Sequence, residues 1–139
     1  MSRRSKLVIL FAVLVPVLAL SGWLISAYAG TSRVVEDAAD ILHDWLSENP
    51  DADAGDADSV LAASVLDGSL DARLLEDSVP GDVFGNPLHV EVTSDSAGVA
   101  VYVMSPGVDG MPGTFDDVGR SRSSVRIPPR YDDSLVPDD

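Results

Sequence analysis

The chain contains no cysteine, and basic side chains are scarce beyond its first six positions. The absence of cysteine excludes disulfides, thiol catalysis and metal sites built on thiolates. Arg3, Arg4 and Lys6 precede residue 7, and from there onward 6 basic side chains stand against 23 acidic ones, a net charge of −17. A polyanion does not bind nucleic acid through phosphate contacts, and anionic headgroups repel it. We therefore expect no nucleic-acid partner.

Sequence patterns typical of catalytic sites are also missing. The chain has no Gly-x-Ser-x-Gly elbow, His-Glu-x-x-His pair, P-loop or Gly-x-Gly-x-x-Gly fingerprint. His43 and His89 are both predicted to face solvent, which leaves no acid–base relay. A glycosidase needs a carboxylate pair in a cleft lined by aromatic side chains, and we expect the core to use most of the few aromatics. The sequence predicts that the protein is not an enzyme.

The longest uncharged stretch lies near the N-terminus, where Leu7–Tyr28 runs for 22 residues. A helix of this length spans about 33 Å, enough to cross a hydrocarbon core of about 30 Å. Basic residues precede the run and acidic residues follow it, so the positive-inside rule places the N-terminus in the cytoplasm. The length favours an uncleaved anchor over residues 1–29. The alternative is a secretory signal cleaved after Ala29, because Ala27-Tyr28-Ala29 is a small-x-small pattern.

A second helical pattern follows, and an extracytoplasmic domain is predicted over residues 30–130. Apolar residues recur along one stripe of a 3.6-residue helix until Asn49-Pro50 ends the pattern: Val34, Val35, Ala38, Ile41, Leu42, Trp45 and Leu46. Asp51–Asp58 is predicted to be a flexible acidic linker. A short helix then runs to Gly68, where the pattern stops.

Alternating apolar residues next predict a β-hairpin. Leu88–Val92 and Val99–Met104 both show the period of a half-buried strand. Ser123–Ile127 adds a candidate edge strand, and residues 131–139 are predicted to be a disordered tail. The fold class is α+β, with one long N-terminal helix packed on a small antiparallel sheet.

The second strand leads into Met104–Val118, which is rich in glycine and proline and carries the carboxylates Asp109, Asp116 and Asp117. Glycine and proline at this density form tight turns, so the loop folds back and brings the carboxylates together. Their mutual repulsion is relieved by a hard cation, and calcium tolerates irregular loops better than magnesium. We hypothesise a structural calcium site on these three residues. The alternative is an acidic turn that stays solvated.

Two stretches resemble a known family. Residues 105–118, S-P-G-V-D-G-M-P-G-T-F-D-D-V, are similar to the C-terminal signature of the G-type major pseudopilins of type II secretion systems. Residues 79–88, V-P-G-D-V-F-G-N-P-L, resemble the segment that precedes that family's hairpin. The resemblance implies a pilin-like fold, calcium on Asp109, Asp116 and Asp117, and a place in the bacterial inner membrane. It also implies assembly with other pseudopilin-like subunits or with further copies of this chain.

The N-terminal region departs from the family pattern. Family members carry a Gly–Phe peptidase site followed by a glutamate early in the mature helix, whereas Met1–Tyr28 contains no Gly–Phe pair and no acidic residue. This departure favours a second hypothesis, in which the protein is a stand-alone, tethered and calcium-stabilised module that contacts another envelope protein and does not polymerise.

Overall fold

The computed structural model describes residues 3–125, without the side chains of residues 3–9, Ala54, Asp77 and Val125. Residues 126–139, which include the predicted tail and the end of the predicted edge strand, lie outside this range. The helices are α1 (Arg3–Glu48) and α2 (Ala57–Asp67), and the strands are β1 (Arg73–Leu74), β2 (Pro80–Gly81), β3 (His89–Asp95), β4 (Gly98–Ser105) and β5 (Val118–Val125). Single 3-10 turns span Ala54–Asp56 and Glu76–Ser78. The α+β class is confirmed.

The predicted membrane run and the predicted amphipathic helix form one continuous helix, α1, of 46 residues. Its segment Leu10–Glu48 is long and apolar enough to cross a membrane. Among the described residues, the large apolar side chains between Leu10 and Ile25 are mostly exposed, apart from an edge contact between Trp23 and Phe84. An exposed apolar surface of this length is compatible with a transmembrane helix.

The C-terminal half of α1 packs on a three-stranded antiparallel sheet of order β3-β4-β5. The buried apolar core comprises Val34, Val35, Ala38, Ala39, Leu42, Leu46, Ala57, Leu61, Leu70, Leu88, Val99, Val101 and Val103. The predicted helical stripe is therefore confirmed, because all seven of its residues lie in the core or pack against it. Leu42 and Leu46 are completely buried.

Strand β4 is the central strand of the sheet. Its side chains alternate between buried and exposed positions from Val99 to Ser105, as the sequence pattern predicted. Val103 is paired with Val90 of β3 on one side and with Arg120 of β5 on the other. β5 begins at Val118, five residues before the edge strand that the sequence predicted, because pairing with β4 continues down to Ser105.

Two local predictions need correction. The acidic stretch Asp51–Asp58 forms a turn, a 3-10 turn and the start of α2 instead of a structureless linker. His43 is half-buried, and its Nε2 atom is buried without a hydrogen-bond partner. The stop at Gly68 is correct, since that residue caps α2 with a positive φ of 84°.

Arginines of β5 tie the sheet to the polar face of α1. The Arg122 guanidinium donates to the Asp40 carboxylate, and its Nη2 atom lies 3.4 Å from Glu36 Oε1. Arg120 Nη2 donates to Ser32 Oγ at 3.0 Å. These contacts fix β5, and with it the end of the acidic loop, against the helix.

Candidate functional site

The acidic loop, residues 106–117, connects the end of β4 to the start of β5. Its fold depends on glycines at positions of positive φ: Gly107 (68°), Gly110 (68°) and Gly113 (89°). At Gly107 a side chain is also excluded by space, because a Cβ there would lie 2.4 Å from the Asp116 carbonyl oxygen. The sequence prediction that the loop folds back on itself is thus correct.

Asp116 is the buried acid of the loop, with 8% of its surface exposed. Its Oδ2 atom accepts hydrogen bonds from the backbone N–H of Val108 at 2.8 Å and of Asp109 at 3.2 Å. Its Oδ1 atom accepts from the Thr114 hydroxyl at 2.7 Å. The hydroxyl and, more weakly, the two amides lower the pKa of Asp116 below its ordinary value, although burial opposes them.

Thr114 is the point on which the three predicted residues converge. Its Oγ1 atom lies 2.7 Å from Asp116 Oδ1 and 3.3 Å from both Asp109 Oδ1 and Asp117 Oδ1. The carbonyl oxygen of Met111 is a fourth acceptor, at 3.0 Å. A hydroxyl carries one proton and can donate to only one of these oxygens at a time. The Thr114 hydroxyl is therefore surrounded by more acceptor oxygens than its one proton can satisfy.

Two of the carboxylate oxygens also accept hydrogen bonds from the main chain. Gly113 N–H donates to Asp117 Oδ2 at 2.7 Å, and Met111 N–H donates to Asp109 Oδ1 at 2.8 Å. Among residues 3–125, no group of three or more His, Asp or Glu side chains meets the geometry of a metal centre. The chemistry of the set nevertheless fits calcium, since carboxylate, carbonyl and hydroxyl oxygens are all hard donors.

The second sequence motif is attached to the acidic loop by hydrogen bonds. Asp82 is buried, and its carboxylate accepts from Ser105 Oγ at 2.5 Å and from the Asn86 N–H at 2.8 Å. Asn86 Nδ2 in turn donates to the Gly107 carbonyl oxygen at 2.7 Å. The two stretches that the sequence analysis singled out thus form one unit.

This unit lies beside the helix where the predicted membrane run ends. Phe84 makes edge-to-face contacts with Tyr28, at a centroid distance of 5.3 Å, and with Trp23, at 6.3 Å. Tyr28 also lines a shallow groove with Phe115, Asp116 and Asp117. The fully exposed Phe115 ring corrects the expectation that most aromatics belong to the core.

Comparison with protein-family models, with curated proteins and with solved structures finds no match to this chain. The pseudopilin resemblance therefore rests on the two motifs alone and stays a prediction.

Sequence reasoning missed Thr114, Ser105 and Asp82 as parts of the site. The signal for Thr114 was its position two residues before Asp116, within side-chain reach of both aspartates that follow it. Ser105 and Asp82 are 23 residues apart in the chain. Their contact depends on the tertiary fold, so no local sequence pattern could predict it.

We expect Gly107→Ala to disrupt the loop much more than Gly113→Ala. Both changes place a side chain at positive φ, which costs about 1–2 kcal/mol, but only the Cβ at residue 107 would overlap Asp116. Thermal melts of the full chain in mild detergent, followed by circular dichroism, measure the difference. Equal losses of stability in the two variants would contradict the packing described for Gly107.

The lowered pKa of Asp116 predicts an acid-sensitive contribution to stability. A carboxylate with a depressed folded-state pKa stabilises the fold above its unfolded pKa of about 3.9, and that stability is lost as the pH falls through the folded value. In calcium-free buffer, the difference in Tm between the wild-type chain and Asp116→Asn should be present at pH 7 and shrink below about pH 4.

Thr114→Val provides the control for this titration. It keeps the side-chain shape and removes the hydroxyl that lowers the pKa of Asp116 most, so the acid-induced loss of stability should be smaller than in the wild-type chain and complete at a higher pH. A wild-type melt that responds to acid in the same way as both variants would show that Asp116 does not contribute.

Proposed function

We propose that this protein is a single-pass, membrane-anchored structural subunit of a pseudopilin-like assembly, with a pilin-like fold and a calcium ion in its acidic loop. The observation that carries the proposal is the convergence of Asp109, Asp116 and Asp117 on the Thr114 hydroxyl. The attachment of the Asp82–Asn86 segment to this loop supports it further, because the resemblance depends on the same two stretches.

Charge balance supports a cation in the loop. Three carboxylates lie within 3.3 Å of one oxygen atom, and the repulsion between them needs an opposite charge. The two arginines that follow within the described residues are engaged elsewhere, Arg120 with Ser32 and Arg122 with Asp40. A bound calcium ion would supply that charge.

The loop's own oxygens would hold the ion. Asp109, Asp116 and Asp117 are the carboxylate ligands, and the Met111 carbonyl and the Thr114 hydroxyl are further oxygen donors beside them. The role of the ion is structural. Apart from Pro106, Gly107 and Asp116, the loop buries little of itself in the core, so its order depends on these polar contacts.

The exposed surface of α1 supports assembly in the membrane. Apolar side chains such as Leu14, Val17 and Leu18 are exposed in the part of the chain that the structure describes. Within a bilayer such a helix packs against lipid or against a neighbouring helix. Side-by-side packing of α1 with other pseudopilin-like subunits, or with further copies, would place the acidic domains on the extracytoplasmic side of a bacterial inner membrane.

The second candidate function is a tethered, calcium-stabilised module that binds an envelope partner without polymerising. The absence of a Gly–Phe pair and of an acidic residue from Met1–Tyr28 favours it. In both functions the protein acts by binding and not by catalysis.

We expect calcium to raise the Tm of the full chain in detergent, and a chelator to reverse the change. A micromolar site at millimolar calcium stabilises the fold by about 4 kcal/mol through mass action. Asp117→Asn should abolish the response, whereas Asp58→Asn, an exposed acid on α2, should keep it. An identical calcium response in both variants would mean that the loop is not the site.

The mature N-terminus, mapped by mass spectrometry on protein from the native membrane, separates the two candidate functions. A subunit processed for assembly should be trimmed within Met1–Lys6 and carry N-methylation. An unprocessed start favours the tethered module, and a start after Ala29 would exclude membrane anchoring and both proposals with it.

A further inference from the structure

We propose that the acidic loop also contacts the lipid surface, with Val108, Met111 and Phe115 lying among the headgroups of the outer leaflet. This inference rests on the membrane span assumed in the proposed function. It concerns the side chains of these three residues, whereas the proposed calcium site uses the loop's carboxylates, the Thr114 hydroxyl and the Met111 carbonyl.

The loop exposes apolar side chains that its fold does not need. The Phe115 side chain is fully exposed, Met111 is 62% exposed and Val108 is 48% exposed. The same loop buries the polar Asp116. A segment that buries a carboxylate and presents a phenyl ring, a thioether and an isopropyl group to the outside is suited to an apolar or interfacial surrounding.

The position of the loop relative to α1 identifies the lipid surface as that surrounding. Phe84 reaches past Tyr28 to Trp23, five residues and about 7.5 Å further along the predicted membrane run. Phe115 lines a groove with Tyr28. The edge of the domain that carries Phe84 and the acidic loop therefore lies beside the end of the predicted membrane run.

Aromatic residues at this level match the chemistry of the interface. Trp and Tyr are enriched where apolar chains meet headgroups, because their rings are amphipathic. Trp23 and Tyr28 occupy such positions on α1, and Phe84 and Phe115 approach them from the domain. The four rings come from three separate segments of the chain and lie along the stretch of the helix between Trp23 and Tyr28.

The charge of the loop indicates that the lipid contact depends on whether calcium is bound. The domain is a polyanion, and uncompensated carboxylates at Asp109 and Asp117 would be repelled by lipid phosphates. Calcium in the loop would remove most of that repulsion. The contact is therefore expected in millimolar calcium, which sets the conditions of the test.

The far end of the domain provides a matched control. Ser94 Oγ lies 3.4 Å from the carbonyl oxygen of Pro50, just beyond the end of α1. The β3–β4 turn that contains Ser96 is thus separated from Tyr28 by about 30 Å of helix. Ser96 is exposed and lies in a turn, as a matched labelling position should.

The test uses the absence of natural cysteine. Full-length Met111→Cys and Ser96→Cys are each labelled with a polarity-sensitive fluorophore and reconstituted into phosphatidylcholine vesicles that contain a spin-labelled quencher lipid. We expect at least three-fold stronger quenching at residue 111 than at residue 96. Adding Phe115→Ser to the Met111→Cys chain should reduce the quenching towards the control value.

Three results would overturn the inference. Equal quenching at the two positions, in protein that stays in the vesicle fraction after alkaline extraction, rejects the lipid contact and leaves the membrane span intact. Loss of the protein from that fraction rejects the span and both proposals. A polarity shift of the fluorophore at residue 111 that appears only at high protein-to-lipid ratio, without quenching by the spin-labelled lipid, would assign the surface to a second copy of this chain.

Discussion

The burial of one stripe of α1 against β4 is the interaction on which the rest of the molecule depends. Leu42 and Leu46 on the helix and Val101 and Val103 on the strand are completely or almost completely buried. Without that contact a three-stranded sheet would have no second layer to cover its apolar face. The same contact fixes the direction in which β4 runs, and so determines that its last residue, Ser105, delivers the acidic loop to the side of the helix that carries Tyr28.

The acidic loop is held mainly by polar groups. Its carboxylates accept hydrogen bonds from the N–H groups of Val108, Asp109, Met111 and Gly113, so the main chain wraps around the acids. Positive φ at the glycines permits this wrapping. The cost is that three negative charges share one small volume, with a single hydroxyl between them. The calcium ion proposed above would offset this repulsion, whereas the hydrophobic core contains no comparable cluster of charges.

The parts of the fold that local periodicity encodes were predictable. The helical stripe up to Leu46 and the alternation in β4 follow from which residues must face a core. β5 was only partly predictable, because Val118–Val125 is rich in arginine and serine and lacks a clear apolar alternation. Its length is determined by its pairing with β4. The candidate site was likewise predictable only in part. The three aspartates were visible as a cluster, but Thr114 as their meeting point and Phe115 as an exposed ring follow from turns whose geometry depends on the whole domain.

The continuity of α1 has a mechanical consequence. No break separates the apolar half of the helix from the half that forms the core, and the stretch from Tyr28 to Val35 contains Gly30 but no proline. The domain is therefore not suspended from a flexible tether and cannot swivel independently. If α1 spans a bilayer, as proposed above, any tilt or rotation of the helix would turn the whole domain with it, and a sideways force on the domain would be transmitted to the membrane. A change in lipid thickness that tilts α1 would then also reorient the domain.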